Sequence, residues 1–343
     1  MDEDLLATAQ RVASEVLAPG AAAVDASVVR RHDLDLLGNA GLLGVAAEPP
    51  QTFRAVQEVL AGADASTWFV QAQHHYPVRL LAGSTSPALV GLRDDLLSGR
   101  RVAGVAFSHL RRWPDRPVEA TAVPGGWRFD GLVPWYTGWG LNDVLALGGA
   151  TEDGEVVFAL AQARESQWLT PTAPMRLAAL TAASTVQLRV QGLVVPDEDV
   201  LLRTPFEQWR AGDLSTTVTV NPGVLGIAQA AVDRLRELGG ARGLAEATDL
   251  AGLLASRLTD VRTEAYALAD AGGPADEALA HRVTALRLCL SATAALVAAG
   301  AGGSMAMTNP AQRWAREAMF LVVQGQTLEA RKAMLRSWAD SAG

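Results

Sequence analysis

Few residues in this 343-residue chain have both the type and the spacing for chemistry. The densest group is the run HLRRWPDR, His109 to Arg116. Its Arg111, Arg112 and Arg116 lie close enough together to attract a phosphate, although a solvated loop has the same composition. The pair His74-His75 falls in a helical stretch, AQHHYPV. Adjacent helical residues diverge by about 100°, so the two cannot serve one site, and packed or capping imidazoles are the expectation. His32, His109 and His281 lie far apart in sequence, and no cysteine or carboxylate completes a ligand cluster around them, so no metal site is expected. The one cysteine, Cys289, sits in the apolar run RLCLSATAAL and reads as a small core hydrophobe. A single cysteine cannot close an intramolecular disulfide, which suits a reducing cytoplasm.

The elements that must position these residues follow from composition and period. A chain of this length can form two or three packed layers or subdomains. With 49% hydrophobic and 19% charged residues it reads as globular. A net charge of -8 argues against a general nucleic-acid binder, which needs a basic face to displace counterions. Met1-Asp2-Glu3-Asp4 is acidic where a signal peptide would be positive. The longest apolar run, Leu288 to Gly303, is short for a span of about 20 residues. The expectation is a cytoplasmic protein without a membrane partner.

Three compositional zones follow one another. Residues 1–100 read as a helical domain: Leu5, Ala9, Val12 and Val16 recur at helical spacing until Pro19-Gly20, and further helices carry Leu34 to Leu43, Thr52 to Ala63 and Thr67 to Leu81. Residues 101–205 change to short or alternating apolar runs (VAGVAF, GWRFDG, DVLALGG, EVVFALA, TVQLRVQGLVV) with turns at Pro124-Gly125-Gly126, Glu152-Asp153-Gly154 and Pro196-Asp197, which predicts a β domain of about seven strands. Residues 206–343 return to helices, closed by Gly239-Gly240, by Gly272-Gly273 and by Gly300 to Gly303, with a last helix from Pro310 towards Asp340. Four long helices with short connections predict an antiparallel bundle.

This order, and three local motifs, resemble the acyl-CoA dehydrogenase family. The stretch Asn309 to Thr327, NPAQRWAREAMFLVVQGQT, is similar to that family's C-terminal signature, in which x-P-x-x-R-x-x-R-D/E runs on to Glu-Gly-Thr. Pro310, Arg313, Arg316 and Glu317 fit the opening and Thr327 fits the end, but the glutamate that serves the family as catalytic base falls on Gly325. The segment GLVPWYTGWG, Gly131 to Gly140, resembles the family's G-x-K-x-W-I-T-N-G, and LRVQGLVVPDEDVL, Leu188 to Leu201, resembles the strand that leads into its bundle.

The resemblance implies an α+β fold with an N-terminal helical domain, a middle β domain and a C-terminal four-helix bundle. It implies FAD, with Trp135 against the flavin ring, Thr137 hydrogen-bonded to it, Ser108 beside it and Thr327 towards the rest of the cofactor, while Gly302-Gly303 are further contacts for its adenine half. It implies an oxidoreductase acting on the CH–CH bond of an acyl-CoA or acyl-carrier thioester, assembled as a homodimer or homotetramer or paired with a paralogous subunit. The catalytic residue is left unassigned. A base on the first bundle helix would fall on Thr216 or Thr217, and the nearest carboxylates to the two expected places are Asp213 and Glu329. The phosphate-cradling Gly-x-Gly-Ser is replaced by arginines, and the arginine-phenylalanine element after the first bundle helix is replaced by Gly239-Gly240-Ala241-Arg242-Gly243. Flavin monooxygenases of the same scaffold share the NPAQR opening, but their histidine falls on Met319. A non-catalytic scaffold subunit is the third alternative.

Overall fold

A computed structural model describes residues 1–84 and 86–342. The chain opens with α1 (Glu3–Val12), capped by the Asp2 carboxylate, which accepts from the Leu5 amide at 2.9 Å. The helix does not end at Pro19. It passes through one π turn, Ala13–Leu17, and continues as α2 (Ala18–Asp25). A proline cannot donate to the ordinary i→i−4 ladder, and the wider turn just before it makes room for its ring. The segment containing Leu34 to Leu43 is a helix only over α3 (Arg31–Asn39), because Gly41 turns the chain with φ +75°. There follow α4 (Pro50–Ala63), α5 (Ala65–Leu81) and α6 (Pro87–Leu97), the last not foreseen. Buried Asp64 separates α4 from α5 by accepting from the Ser66 and Thr67 amides.

Among the described residues eight strands then form one sheet: β1 (Ala103–Ala106), β2 (Val118–Val123), β3 (Gly126–Tyr136), β4 (Val144–Ala150), β5 (Glu155–Gln162), β6 (Leu169–Pro171), β7 (Val186–Pro196) and β8 (Val200–Pro205). Their order is β6-β7-β3-β2-β4-β5-β8, with β1 parallel to β4. Strands outside the apolar runs named from the sequence include β6, only three residues long, and β2, whose Glu119 and Thr121 interrupt its apolar residues and which is held by a full antiparallel register with β3. Every residue of β4 is buried, as expected of a strand covered on both faces. One face of the sheet buries Phe129, Val133, Tyr136, Leu145, Leu147, Val157 and Leu188, and the other packs Val105, Ala146 and Phe158 against helical residues.

The C-terminal helices are α7 (Phe206–Thr217), α8 (Pro222–Arg242), α9 (Ala245–Asp270), α10 (Ala275–Gly300), α11 (Pro310–Leu321) and α12 (Leu328–Ala342). The helix ends differ from the expectation at two places. Gly239-Gly240 lie inside α8, which is capped three residues later by Gly243 at φ +64°. The last helix is two, because the chain turns through Gly325 at φ +58°, and Thr327 Oγ1 restarts it by accepting from the Ala330 amide at 3.2 Å. The helix α10 is long and apolar enough to cross a membrane by length and composition, yet it packs against α8, α9, α11 and α12. The N-terminal helices join the bundle at α4 and α8, whose backbones touch at a glycine: a Cβ on Gly226 would stand 2.1 Å from the Glu58 carbonyl oxygen.

Candidate active site

The site begins at a defect in β3. Its Pro134 has no N–H to give to β7, and between the pairs Val133–Leu188 and Tyr136–Val186 the strand β3 carries one residue more than its partner. The bulge turns Trp135 outward, 51% exposed, and sends Tyr136 into the core. The Tyr136 hydroxyl accepts from Asn142 Nδ2 at 2.9 Å, and the same amide reaches the Thr137 carbonyl at 3.1 Å. Buried Thr137 meets the Thr185 hydroxyl at 3.1 Å.

Across from this bulge, β1 ends in a 3₁₀ turn, Ser108–Arg112. The turn is anchored by His109, whose Nε2 lies 2.8 Å from the Gly148 carbonyl oxygen. A carbonyl can only accept, so the proton is assigned to Nε2. Burial lowers the imidazole pKa to about 4, and Nδ1 finds no partner among the described residues. The Ser108 Oγ is buried and equally unpartnered. Phe107 packs on Tyr76 and Trp209 at ring distances of 5.0 and 6.1 Å, which fastens α7 over the turn.

Together with α7 and the α11–α12 turn, these walls enclose a cavity of about 980 Å³. All four residues singled out for a flavin, Ser108, Trp135, Thr137 and Thr327, line it, as do Gly325, Asp213 and Glu329. Gly302 and Gly303 do not line it; they sit in the 3₁₀ turn after α10. The Thr327 hydroxyl already accepts from the α12 backbone. Thr216 and Thr217 bond with carbonyls of their own helix.

The two carboxylates differ in kind. Glu329 is exposed at the rim, and hydrogen bonds to its own amide and to Thr327 hold its pKa below the usual range. Asp213 points inward with its side chain 10% exposed, and Arg111 grips both its oxygens at 2.7 Å. Neither is a free interior carboxylate, and Gly325 offers none. The Arg111–Asp213 pair joins residues 102 positions apart, so the sequence showed its members and not their union. His109 was visible in the sequence only as the first residue of the basic run and as a histidine without a metal cluster; its role as the anchor of the turn depends on the distant Gly148 carbonyl.

His74 and His75 are structural. Both are buried in α5, outside the cavity; His74 Nδ1 accepts from the Ala103 amide at 3.0 Å, and His75 sits between Gln57 and Gln71. Cys289 is buried in α10. Among the described residues no three His, Cys, Asp or Glu side chains gather where they could hold a metal.

Neither a protein-family model nor a curated protein sequence matches this chain. Its fold does match solved structures. Butyryl-CoA dehydrogenase from Megasphaera elsdenii superposes with a TM-score of 0.85 at 16% identity, over 99% of this chain and 98% of the other. A glutaryl-CoA dehydrogenase from Mycobacterium smegmatis in complex with FADH2 gives 0.83 at 15%, over 100% and 96%. The dibenzothiophene monooxygenase from Paenibacillus sp. A11-2, in complex with FMN and indole, gives 0.78 at 17%, over 98% and 97%. The chain has the acyl-CoA dehydrogenase fold.

Proposed function

We propose that the protein binds a flavin in this cavity and acts as an oxidoreductase on an acyl thioester. The observation that carries the reading is the bulge: it presents the Trp135 face to a cavity where the Thr137 hydroxyl and the unpartnered Ser108 hydroxyl also gather. A flat, mostly apolar ring with heteroatoms along its edge needs that combination. Trp135 would support the ring, while Ser108 and Thr137 would satisfy its polar edge; the cofactor supplies the hydride chemistry. The rim adds Arg112, Arg210 and Arg331 against Glu207 and Glu329, a local positive excess that suits phosphorylated ligands on an acidic chain. The acyl thioester class is carried by the folds of the two acyl-CoA dehydrogenases.

The protein's own groups define what else the cavity does. Phe69, Leu177, Phe206 and Phe320 exclude water from its walls. A proton taken from a thioester α-carbon needs an interior carboxylate, and Asp213 is held in a two-point ion pair. That observation favours a second reading, a flavin-dependent monooxygenase, which needs no such base.

The test is the visible spectrum of the purified protein, alone and after added FAD or FMN. Flavin absorbance that co-elutes with the protein supports binding; its absence under both conditions sinks both enzymatic readings and leaves a scaffold subunit. Anaerobic bleaching by butyryl-CoA then separates the dehydrogenase from the monooxygenase, which bleaches with an external reductase and consumes oxygen.

A further inference from the structure

The Arg111–Asp213 pair has a charge imbalance around it. The Arg111 guanidinium lies 5.4 Å from the Phe107 ring centroid, and both members of the pair line the cavity. A second guanidinium, Arg282, is close enough for Arg111 to destabilise its charge, and it remains protonated with a pKa lowered to about 10, chiefly by burial. Among the described residues Arg282 makes no ion pair. Its hydrogen bonds go to the Thr217, Gln324 and Gly325 carbonyls, which tie the end of α7 to the turn after α11. Arg112, also in the cavity wall, has no acidic partner among the described residues either. The cavity wall thus carries the guanidinium groups of two consecutive residues, Arg111 and Arg112, and one interior carboxylate, Asp213, in a space partly withdrawn from water. An uncompensated charge in such a place is costly, and a ligand anion would remove the cost.

We propose that Arg111 is an oxyanion receptor, and that Asp213 occupies it only until a carboxylate or phosphate of the ligand takes its place. The guanidinium fork that meets Asp213 at 2.7 Å on both sides has the geometry either oxyanion requires. Two sources share that chemistry: a carboxylate at the far end of the acyl chain, and the phosphate of a flavin nucleotide. Naming these sources rests on the function proposed above; the exchange of anions at Arg111 does not.

The test uses the full chain without flavin or thioester. Binding of glutarate, inorganic phosphate and the uncharged glutaramide is measured by calorimetry at constant ionic strength, for the wild type, Asp213→Asn and Arg111→Gln. The wild type is expected to bind one of the two anions and not glutaramide. Asp213→Asn, with the competing carboxylate gone, is expected to bind that anion at least about tenfold tighter, the scale of one charge-assisted hydrogen bond, and Arg111→Gln to lose it. A preference for glutarate assigns the acyl carboxylate; a preference for phosphate assigns the nucleotide. Arg111→Lys, which keeps the charge and loses the fork, replaces Arg111→Gln if that variant does not fold, and is expected to bind more weakly than the wild type. Equal binding by all variants, binding of no anion, or weaker binding by Asp213→Asn overturns the proposal. A protein that exchanges anions but takes up no flavin keeps this inference and loses the proposed function; the reverse result does the opposite.

Discussion

Glu317 lies 3.7 Å from Arg313, one helical turn away on α11, and both its carboxylate oxygens are buried without a hydrogen bond among the described residues. Burial raises its pKa to about 7, against the pull of Arg313 and with a further push from Asp64. The folded state therefore holds a proton that the unfolded chain releases near pH 4.5. The contribution of this group to stability is complete below pH 4.5 and declines as pH rises through about 7. His74 and His109, both lowered to about 4 by burial, act in the opposite sense: their contribution is complete above pH 6.5 and is lost as pH falls towards 4. Glu317→Gln should remove only the first trend. Its melting temperature relative to wild type should rise between pH 5 and 8, by an amount worth a few kcal/mol at most on the scale of about 1.4 kcal/mol per pKa unit. A constant difference across that range refutes the assignment.

Trp135→Ala should separate binding from stability. The side chain is half exposed on its bulge, so unfolding should move by roughly 0.5 kcal/mol or less. Flavin affinity should fall about tenfold or more, since the ring contact and its buried area are both lost. Retained flavin affinity in a stably folded variant would remove Trp135 from the site.

Gly325→Glu tests whether the missing acid is all that the cavity lacks. Nothing lies within 4 Å of a Cβ at that position, but its φ of +58° is left-handed, so the substitution should cost about 1–2 kcal/mol in stability. If the cavity places a thioester as proposed, the variant should exchange the α-protons of butyryl-CoA with deuterated solvent faster than wild type, as read by mass spectrometry. Exchange no faster than in wild type, from a folded variant, would show that the cavity does not present the α-carbon to this turn.

Two glycines on α8 should respond oppositely to alanine. At Gly226 the new methyl meets the Glu58 carbonyl at 2.1 Å, and α4 and α8 must separate, so Gly226→Ala should lose several kcal/mol. At Gly240 nothing stands within 4 Å, and Gly240→Ala should gain about 0.5–1 kcal/mol by restricting the unfolded chain. Denaturant titration of both variants decides the matter.

The contrast between those glycines also shows where the sequence was legible. Gly239-Gly240 were expected to stop the helix because glycine pairs so often do, but Gly239 is required instead for close approach to Thr248. The order of helices, strands and helices came through because period and turn residues are local signals. The walls of the cavity came through as single residues: Trp135, Thr137 and Thr327 inside recognisable motifs, and Ser108 where the expected glycine motif is replaced. What stayed hidden was non-local: the Arg111–Asp213 pair, the Arg282 ties to three carbonyls and the packing of α7 over the turn after β1 depend on contacts between distant parts of the chain, which no window of sequence contains.

A strand reads its side chains in a two-letter frame, one face and then the other. Along β3 that frame puts Phe129 and Val133 in the core and leaves Leu132 outside. Continued unbroken, it would bury Trp135 and expel Tyr136. The extra residue that β3 carries between Val133 and Tyr136 shifts its frame once, shortly before the strand ends. A change at position 134 that let the ladder close would exchange the two aromatics, and the cavity would lose its tryptophan without any substitution of the tryptophan itself.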